Sequence, residues 1–334
     1  MNFVGIDVSG KSFLMQINTE HKRGTAQCFD NTSVGHKAAL KALRGVKGPV
    51  RVCLEATGTY HFDLAVALSE ASKVELMVVN PRAARRFSEA LMKRAKTDPV
   101  DTDVLTEFAQ RMPFERWCRP DDNCLKLRAF ARRVAALNKH KVQAKNQLHA
   151  LTTTAYTPKA LLSDVRLSIR QLERQIATLR HHAMTLIDSD ERLARAFALI
   201  TSVKGIAEAS AIQLLGELLV LPADMTPRQW VAFAGLDPRH FRSGDTIEKA
   251  TRISKAGNRY VRLALYMPAL AAARFEPQVC AYYHHLIEDR GLKKMQAVCA
   301  VMRKLLHAIH GMWASDSTFD GARFYAGATT TQTV

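Results

Sequence analysis

Apolar and polar residues alternate with a two-residue period at the start of the chain. Residues 2–8 (NFVGIDV) and 12–18 (SFLMQIN) read as two strands joined by the turn Ser9-Gly10-Lys11, and a third strand is expected over 25–30. Residues 33–44 shift to helical spacing, with Asn31, Thr32 or Ser33 able to cap the helix. The short apolar run 50–55 (VRVCLE) suits a buried strand. A helix is expected near 60–71, a strand over 74–80 (VELMVVN) and a basic helix after Pro81. From about 120 to 190 the strand pattern disappears, and two long helical segments flank a break at Tyr156-Thr157-Pro158. Residues 192–320 are again mostly helical: two helices over 202–218 meet at a tight Lys-Gly-Ile turn, a basic segment over 230–258 reads as loop-rich, and further helices are expected near 258–274 and 292–312.

A three-strand meander followed by helix, strand, helix, strand, helix is the element order of an RNase H-like α/β domain, expected over 1–115. An antiparallel coiled-coil-like spacer is expected over 120–190 and a mainly α C-terminal domain over 192–322. The small, polar end of the chain, 325–334, reads as a disordered tail.

Charge narrows the partner. The 334 residues carry a formal net charge of +17, and the cations are spread over several predicted helices. This favours nucleic acid over a membrane surface. Between 111 and 150 there are ten Lys/Arg against three Asp/Glu, so the spacer can track a phosphate backbone. The longest apolar run, Leu263 to Ala273, is too short to span a bilayer. The six cysteines, Cys28, Cys53, Cys118, Cys124, Cys280 and Cys299, form no Cys-x-x-Cys pair and complete no zinc pattern with histidine. They read as reduced, mostly buried thiols, and with no basic segment ahead of the first strand the expected location is the bacterial cytoplasm, in association with the nucleoid.

Candidate chemistry lies in four acids: Asp7 in GIDVSG, Glu55 in EATGTY, and Asp98 and Asp101 in KTDPVD. Each stands at the end of a predicted strand or the start of a predicted helix. An aspartate within a sheet is costly unless it is paired or metal-bound. Hard carboxylate ligands suit Mg²⁺ or Mn²⁺, and such ions assist phosphoryl transfer. Asp98 precedes Pro99, so it fits an N-cap with Pro99 at the first helical position and Asp101 on the first turn. Capping and complementing the helix dipole are the alternative roles of these two. Asp103 falls on roughly the opposite side of the same helix and is left out of the set.

GIDVSG, EATGTY, Asn80-Pro81, KTDPVD, AFAGLDPR, RSG and RISKAGN occur in this order along nearly the whole chain, which resembles the insertion-sequence one-ten family of transposases. That family includes Piv-type DNA invertases and bridge-RNA-guided recombinases. The resemblance implies a RuvC-like N-terminal domain with an Asp/Glu/Asp/Asp tetrad, here Asp7, Glu55, Asp98 and Asp101. It also implies a C-terminal transposase domain with a nucleophilic serine, here Ser243 of RSG. On spacing alone a serine before glycine in a basic loop is a turn residue. The resemblance further implies donor and target DNA as partners, a structured guide RNA in the bridge-RNA members, and a homo-oligomer, dimer or tetramer, in which the tetrad of one subunit meets the serine of another. Arg242, Lys249, Arg252, Lys255 and Arg259 flank Ser243 and are candidates for holding phosphates. One departure stands out. The family pattern Pro-Gly-Ile-Gly reads Lys204-Gly205-Ile206-Ala207 here, leaving a DNA-binding turn and a helix-packing turn both open.

The same acids would serve a metal-dependent junction endonuclease with water as nucleophile. A sugar kinase or ATPase of the actin type is a weaker match, since GIDVSGKS has no second phosphate loop to accompany it. A non-catalytic nucleic-acid binder would need neither the acids nor the serine.

Overall fold

The computed structural model describes residues 1–19, 22–56, 58–92, 98–243 and 247–326, with the side chains of 98–99 and 240–250 excluded. The described chain divides into two compact units, Met1–Arg119 and Pro120–Val334.

Apolar-rich strands in the first unit build a sheet buried on both faces. β1 (Asn2–Val8), β2 (Ser12–Asn18) and β3 (Gln27–Asp30) form an antiparallel meander. β4 (Val50–Glu55) and β5 (Val74–Val79) add on in parallel, giving the order β3-β2-β1-β4-β5. Parallel neighbours need crossover helices, and α1 (Ser33–Arg44) and α2 (Phe62–Ser69) supply them. Thr32 caps α1 by accepting from the Gly35 N–H. Val4, Ile6, Val8, Val52 and Leu54 face α1 and α2 and are almost fully buried. The opposite face, with Cys53, Met77 and Val79, packs on α3 (Pro81–Ala90) and α4 (Asp98–Arg111). Asn80 caps α3 with Pro81 at its first position. α4 opens at Asp98, with Pro99 and Asp101 in its first turn.

In the second unit α5 (Asp122–Thr152) and α6 (Lys159–Asp188) run antiparallel, joined through exposed Tyr156. Phe130 stacks on His182, and Lys145 reaches Glu173 at 3.3 Å. The base of this hairpin packs into one core with α7 (Glu191–Thr201), α8 (Glu208–Leu218), α9 (Pro227–Ala234), α10 (Arg259–Phe275), α11 (Pro277–Glu288), α12 (Lys294–Ala314) and the short α13 (Gly321–Phe324). The 230–258 segment is not the expected loop. It holds the second half of α9 and an antiparallel hairpin, β6 (Pro238–Ser243) and β7 (Ile247–Ile253), with a bulge between Arg239 and Phe241. α11 was likewise absent from the pattern reading. Tyr325, placed with the tail by composition, packs against Tyr282 at 5.4 Å, and residues 327–334 of that tail lie outside the described residues. Among the described residues no helix is long and apolar enough to cross a membrane.

Candidate functional site

Register sets the carboxylates of the first unit. β1 and β4 pair in parallel through Ile6↔Leu54, so the next residues on each strand, Asp7 and Glu55, stand side by side about 5 Å apart at Cα. Ile6 and Leu54 point into the core beneath α1 and α2, so the pleat turns Asp7 and Glu55 to the α4 face. Glu55 shares that face with Cys53, whose thiol is pushed up to about 12 by burial first and by the Glu55 charge second.

α4 crosses the same face at unusually close range, and Gly5 permits it. A Cβ at Gly5 would lie 2.1 Å from the Thr102 carbonyl oxygen and 2.5 Å from the Thr106 nitrogen. The direction of α4 follows from its far end: Phe114, just past it, lies under Arg51 at 5.0 Å, and Arg51 is level with Phe3 at the start of β1. α4 therefore runs antiparallel to β1. Its first turn, with Asp98 and Asp101, is carried towards the strand ends that bear Asp7 and Glu55. Asp101 is half-buried, as are Asp7 and Glu55, and the Asp98 side chain lies outside the described residues. Among the described residues no group of three or more His, Cys, Asp or Glu is close enough to hold a metal ion. Asp103 is almost fully buried instead, bonded to Gln16 at 3.2 Å and paired with Arg23, which ties α4 to β2.

Loops at this edge are pinned by one side chain. The Asn31 amide donates to the Ser9 and Tyr60 carbonyls, both at 3.0 Å, and its oxygen meets His36 Nε2 at 2.8 Å. The turn after β1 and the loop after β4 are thereby fixed together.

In the second unit the two sequence motifs around the hairpin interlock. The Lys255 N–H donates to the Gly235 carbonyl, Asn258 N–H to Phe233 and Ser254 N–H to Asp237, at 3.0, 2.6 and 2.8 Å. Ser254 Oγ adds a bond to Asp237 Oδ1 at 2.6 Å. Gly235 sits at φ 64°, and a Cβ at Gly257 would strike the Phe233 carbonyl at 2.3 Å. AGLD and SKAGN thus clamp the base of β6 and β7. Ser243 ends β6 opposite Ile247, next to the hairpin tip, while its side chain and those of Arg242 and Lys249 lie outside the described residues. Arg252, Lys255 and Arg259 are exposed, and Arg259 stacks on the Tyr260 ring at 5.0 Å. Lys255 holds φ 52°, a left-handed conformation that costs a non-glycine residue about 1–2 kcal/mol.

Behind the clamp lies a network that sequence reading missed. Glu217 on α8 is fully buried, and both its oxygens are engaged by Arg132 at 2.6 and 3.0 Å. Asn258 donates to the same carboxylate at 2.6 Å, and Arg128 stands 3.6 Å away. The Lys204–Ala207 turn has a packing role. Gly205, at φ 105°, leaves room for Ala272 and Pro268 of α10, and Ala207, at φ −93°, needs no glycine.

Both halves of the chain align with transposases. Residues 4–157 match a DEDD-type IS110 family model described as Transposase, and residues 197–284 match one described as Transposase IS116/IS110/IS902 family. Among curated proteins, the pilin gene-inverting protein of Moraxella bovis is 28% identical over 322 residues, covering 95% of this chain and 97% of the relative. The protein of the same name from Moraxella lacunata is 27% identical over 326 residues, with the same coverage. The chain belongs to the IS110 family of transposases.

Proposed function

We propose that the chain is a DNA recombinase that breaks and rejoins strands through a covalent bond to Ser243, using an RNase H-like, RuvC-type first domain. The observation that carries this reading is the meeting of Asp7 and Glu55 on one face of neighbouring parallel strands, with the acidic first turn of α4 running towards them. The β3-β2-β1-β4-β5 order supports the RNase H-like assignment. Domains over 1–115, 120–190 and 192–322 remain our division of labour: carboxylates, basic arm and serine.

The donor set fits a hard divalent cation, Mg²⁺ or Mn²⁺, with Asp7, Glu55, Asp101 and Asp98 as its holders. Such an ion, when bound, supplies stabilisation of charge on the scissile phosphate. The remaining work falls to the chain. Ser243 Oγ attacks phosphorus and loses its proton to a nearby base, and the displaced deoxyribose oxygen leaves with a proton. The phosphoserine bond keeps the phosphodiester energy, so a second DNA hydroxyl can reverse the step without ATP. Arg252, Lys255 and Arg259, with Arg242 and Lys249, hold the flanking phosphates. Donor and target DNA are the substrates, the basic α5–α6 arm offers a surface for a structured guide RNA, and the working form is a homo-oligomer.

A covalent-adduct assay tests the reading. Protein, RNA transcribed from its own element, labelled donor and target DNA, and Mg²⁺ are incubated, denatured and resolved on a gel beside Ser243→Ala and Asp7→Ala. A protease-sensitive shifted band confined to the wild type is expected. Cleaved ends with no adduct would replace the serine with water and make the protein a junction-type endonuclease.

A further inference from the structure

A cavity of about 390 Å³ opens in the second unit between α12, the turn that follows it, and α13. Met312 and Phe324 form buried walls, and half-buried Phe319 flanks them. Lys304 and Arg323 supply cationic groups, and His307 an imidazole. The volume is within the range of small-ligand sites, about 300–1,000 Å³.

The Lys304 charge is the poorly compensated one, since Arg323 pairs with Asp320. The Lys304 ammonium rests 4.0 Å from the Tyr282 ring centroid and 5.1 Å from that of Phe324, and burial lowers its proton affinity with no carboxylate opposing the shift. His307 is held below its ordinary range by burial and then by Arg303, His310 and Arg228, again with no acid on the other side. Asp320 is the acid in the lining, and it is occupied. It accepts from the Ala322 and Arg323 N–H groups at 2.9 and 3.4 Å and lies 3.5 Å from Arg323 Nε. Nearby Asp316 is taken by Arg195 at 2.8 Å.

A cavity with aromatic walls and excess positive charge matches a ligand that is flat and apolar at one end and anionic at the other. An inorganic anion would leave the aromatic walls wet, and an apolar ligand would leave the cations uncompensated. We propose that this cavity binds one unpaired nucleotide of a nucleic-acid strand, its base against Phe319 and Phe324 and its phosphate among Lys304, His307 and Arg323. The inference rests on the nucleic-acid reading above and places on α12 and α13 a contact separate from both the carboxylate edge and the serine hairpin.

The test uses the full chain with single-stranded DNA and single-stranded RNA, each carrying one 5-iodouracil, and a duplex of the same sequence. Photo-cross-linking is expected on the peptide containing Phe319 and Phe324, and the arm that cross-links identifies DNA or RNA as the source. Phe319→Ala should weaken single-strand binding about tenfold, as loss of one stacked base does, and leave duplex binding unchanged. Arg323→Gln, at an exposed position that does not endanger folding, should weaken it in the same direction. Cross-links confined to other peptides, with both variants binding like the wild type, would overturn the proposal. If the wild type still forms its serine adduct in that case, the recombinase reading survives alone. A chain that bound no nucleic acid would remove both.

Discussion

At the residue scale, backbone strain and a proposed phosphate contact coincide at Lys255. Its left-handed backbone is held by a bond to Gly235, while its side chain is exposed beside the serine hairpin. Lys255→Gly should therefore raise stability by about 1 kcal/mol in urea unfolding. The same change should weaken DNA binding and reduce the slope of log affinity against log salt by about one. A fall in both stability and affinity would mean that the lysine is structural. Cysteines give a second handle. Cys53 and Cys124 are buried, whereas Cys28 and Cys118 are exposed. Iodoacetamide at pH 8 should label Cys28 and Cys118 and spare Cys53 in the folded chain. The raised Cys53 value also has a sign. The folded state holds the thiol proton more tightly than the unfolded state does, so this contribution to stability is complete below the ordinary thiol range and is lost as pH climbs towards about 12. Cys53→Ser should flatten that alkaline loss in melts recorded across the range.

At the scale of elements, the Glu217 network decides whether the hairpin has a base. Glu217→Gln leaves Arg132 and Arg128 beside a neutral group in a buried setting. It should cost about 3 kcal/mol, the low end for breaking a buried pair, because the arginines are partly exposed. Thermal melts of the variant, and of Glu217→Gln combined with Arg132→Gln, test this; the double change should cost less than the sum of the two singles. The five-stranded sheet and α1 to α6 were legible because short apolar runs mark strands buried on both faces and one buried face gives the helices a period the eye can follow. Strands β6 and β7 were not, since between Pro238 and Ile253 the apolar side chains are few and the pairing depends on a distant clamp, Gly235 against Gly257. α9 could have been found: Thr226-Pro227-Arg228-Gln229 is a capping box with proline at its first position. The four acids stood out individually, yet the placing of Asp7 beside Glu55 depends on the Ile6↔Leu54 register, and the close passage of α4 depends on the missing Cβ of Gly5, which no composition reveals. Nothing in the residue pattern alone marked Ser243, and Glu217 looked like any glutamate on an amphipathic helix.

At the scale of the whole molecule, the net charge of +17 should make DNA affinity fall steeply with salt. Titrations from low to moderate ionic strength should give a linear log–log plot spanning several phosphate contacts, and a flat response would rule out backbone tracking. Sequence kinship and packing also divide the chain at different places. The first family model ends at residue 157, in the turn between α5 and α6, whereas the packing boundary falls at Arg119 and Pro120. α5 thus belongs by descent with the sheet and by contact with the helices. Cutting at residue 119 would free two bodies, each with its own finished interior. Cutting at exposed Tyr156 would instead divide one interior, with Cys124, Leu127 and Ala131 on one polypeptide and the rest, Ala183 and Ile187 among them, on the other. Such pieces, made from separate genes, would have to find each other to complete that interior.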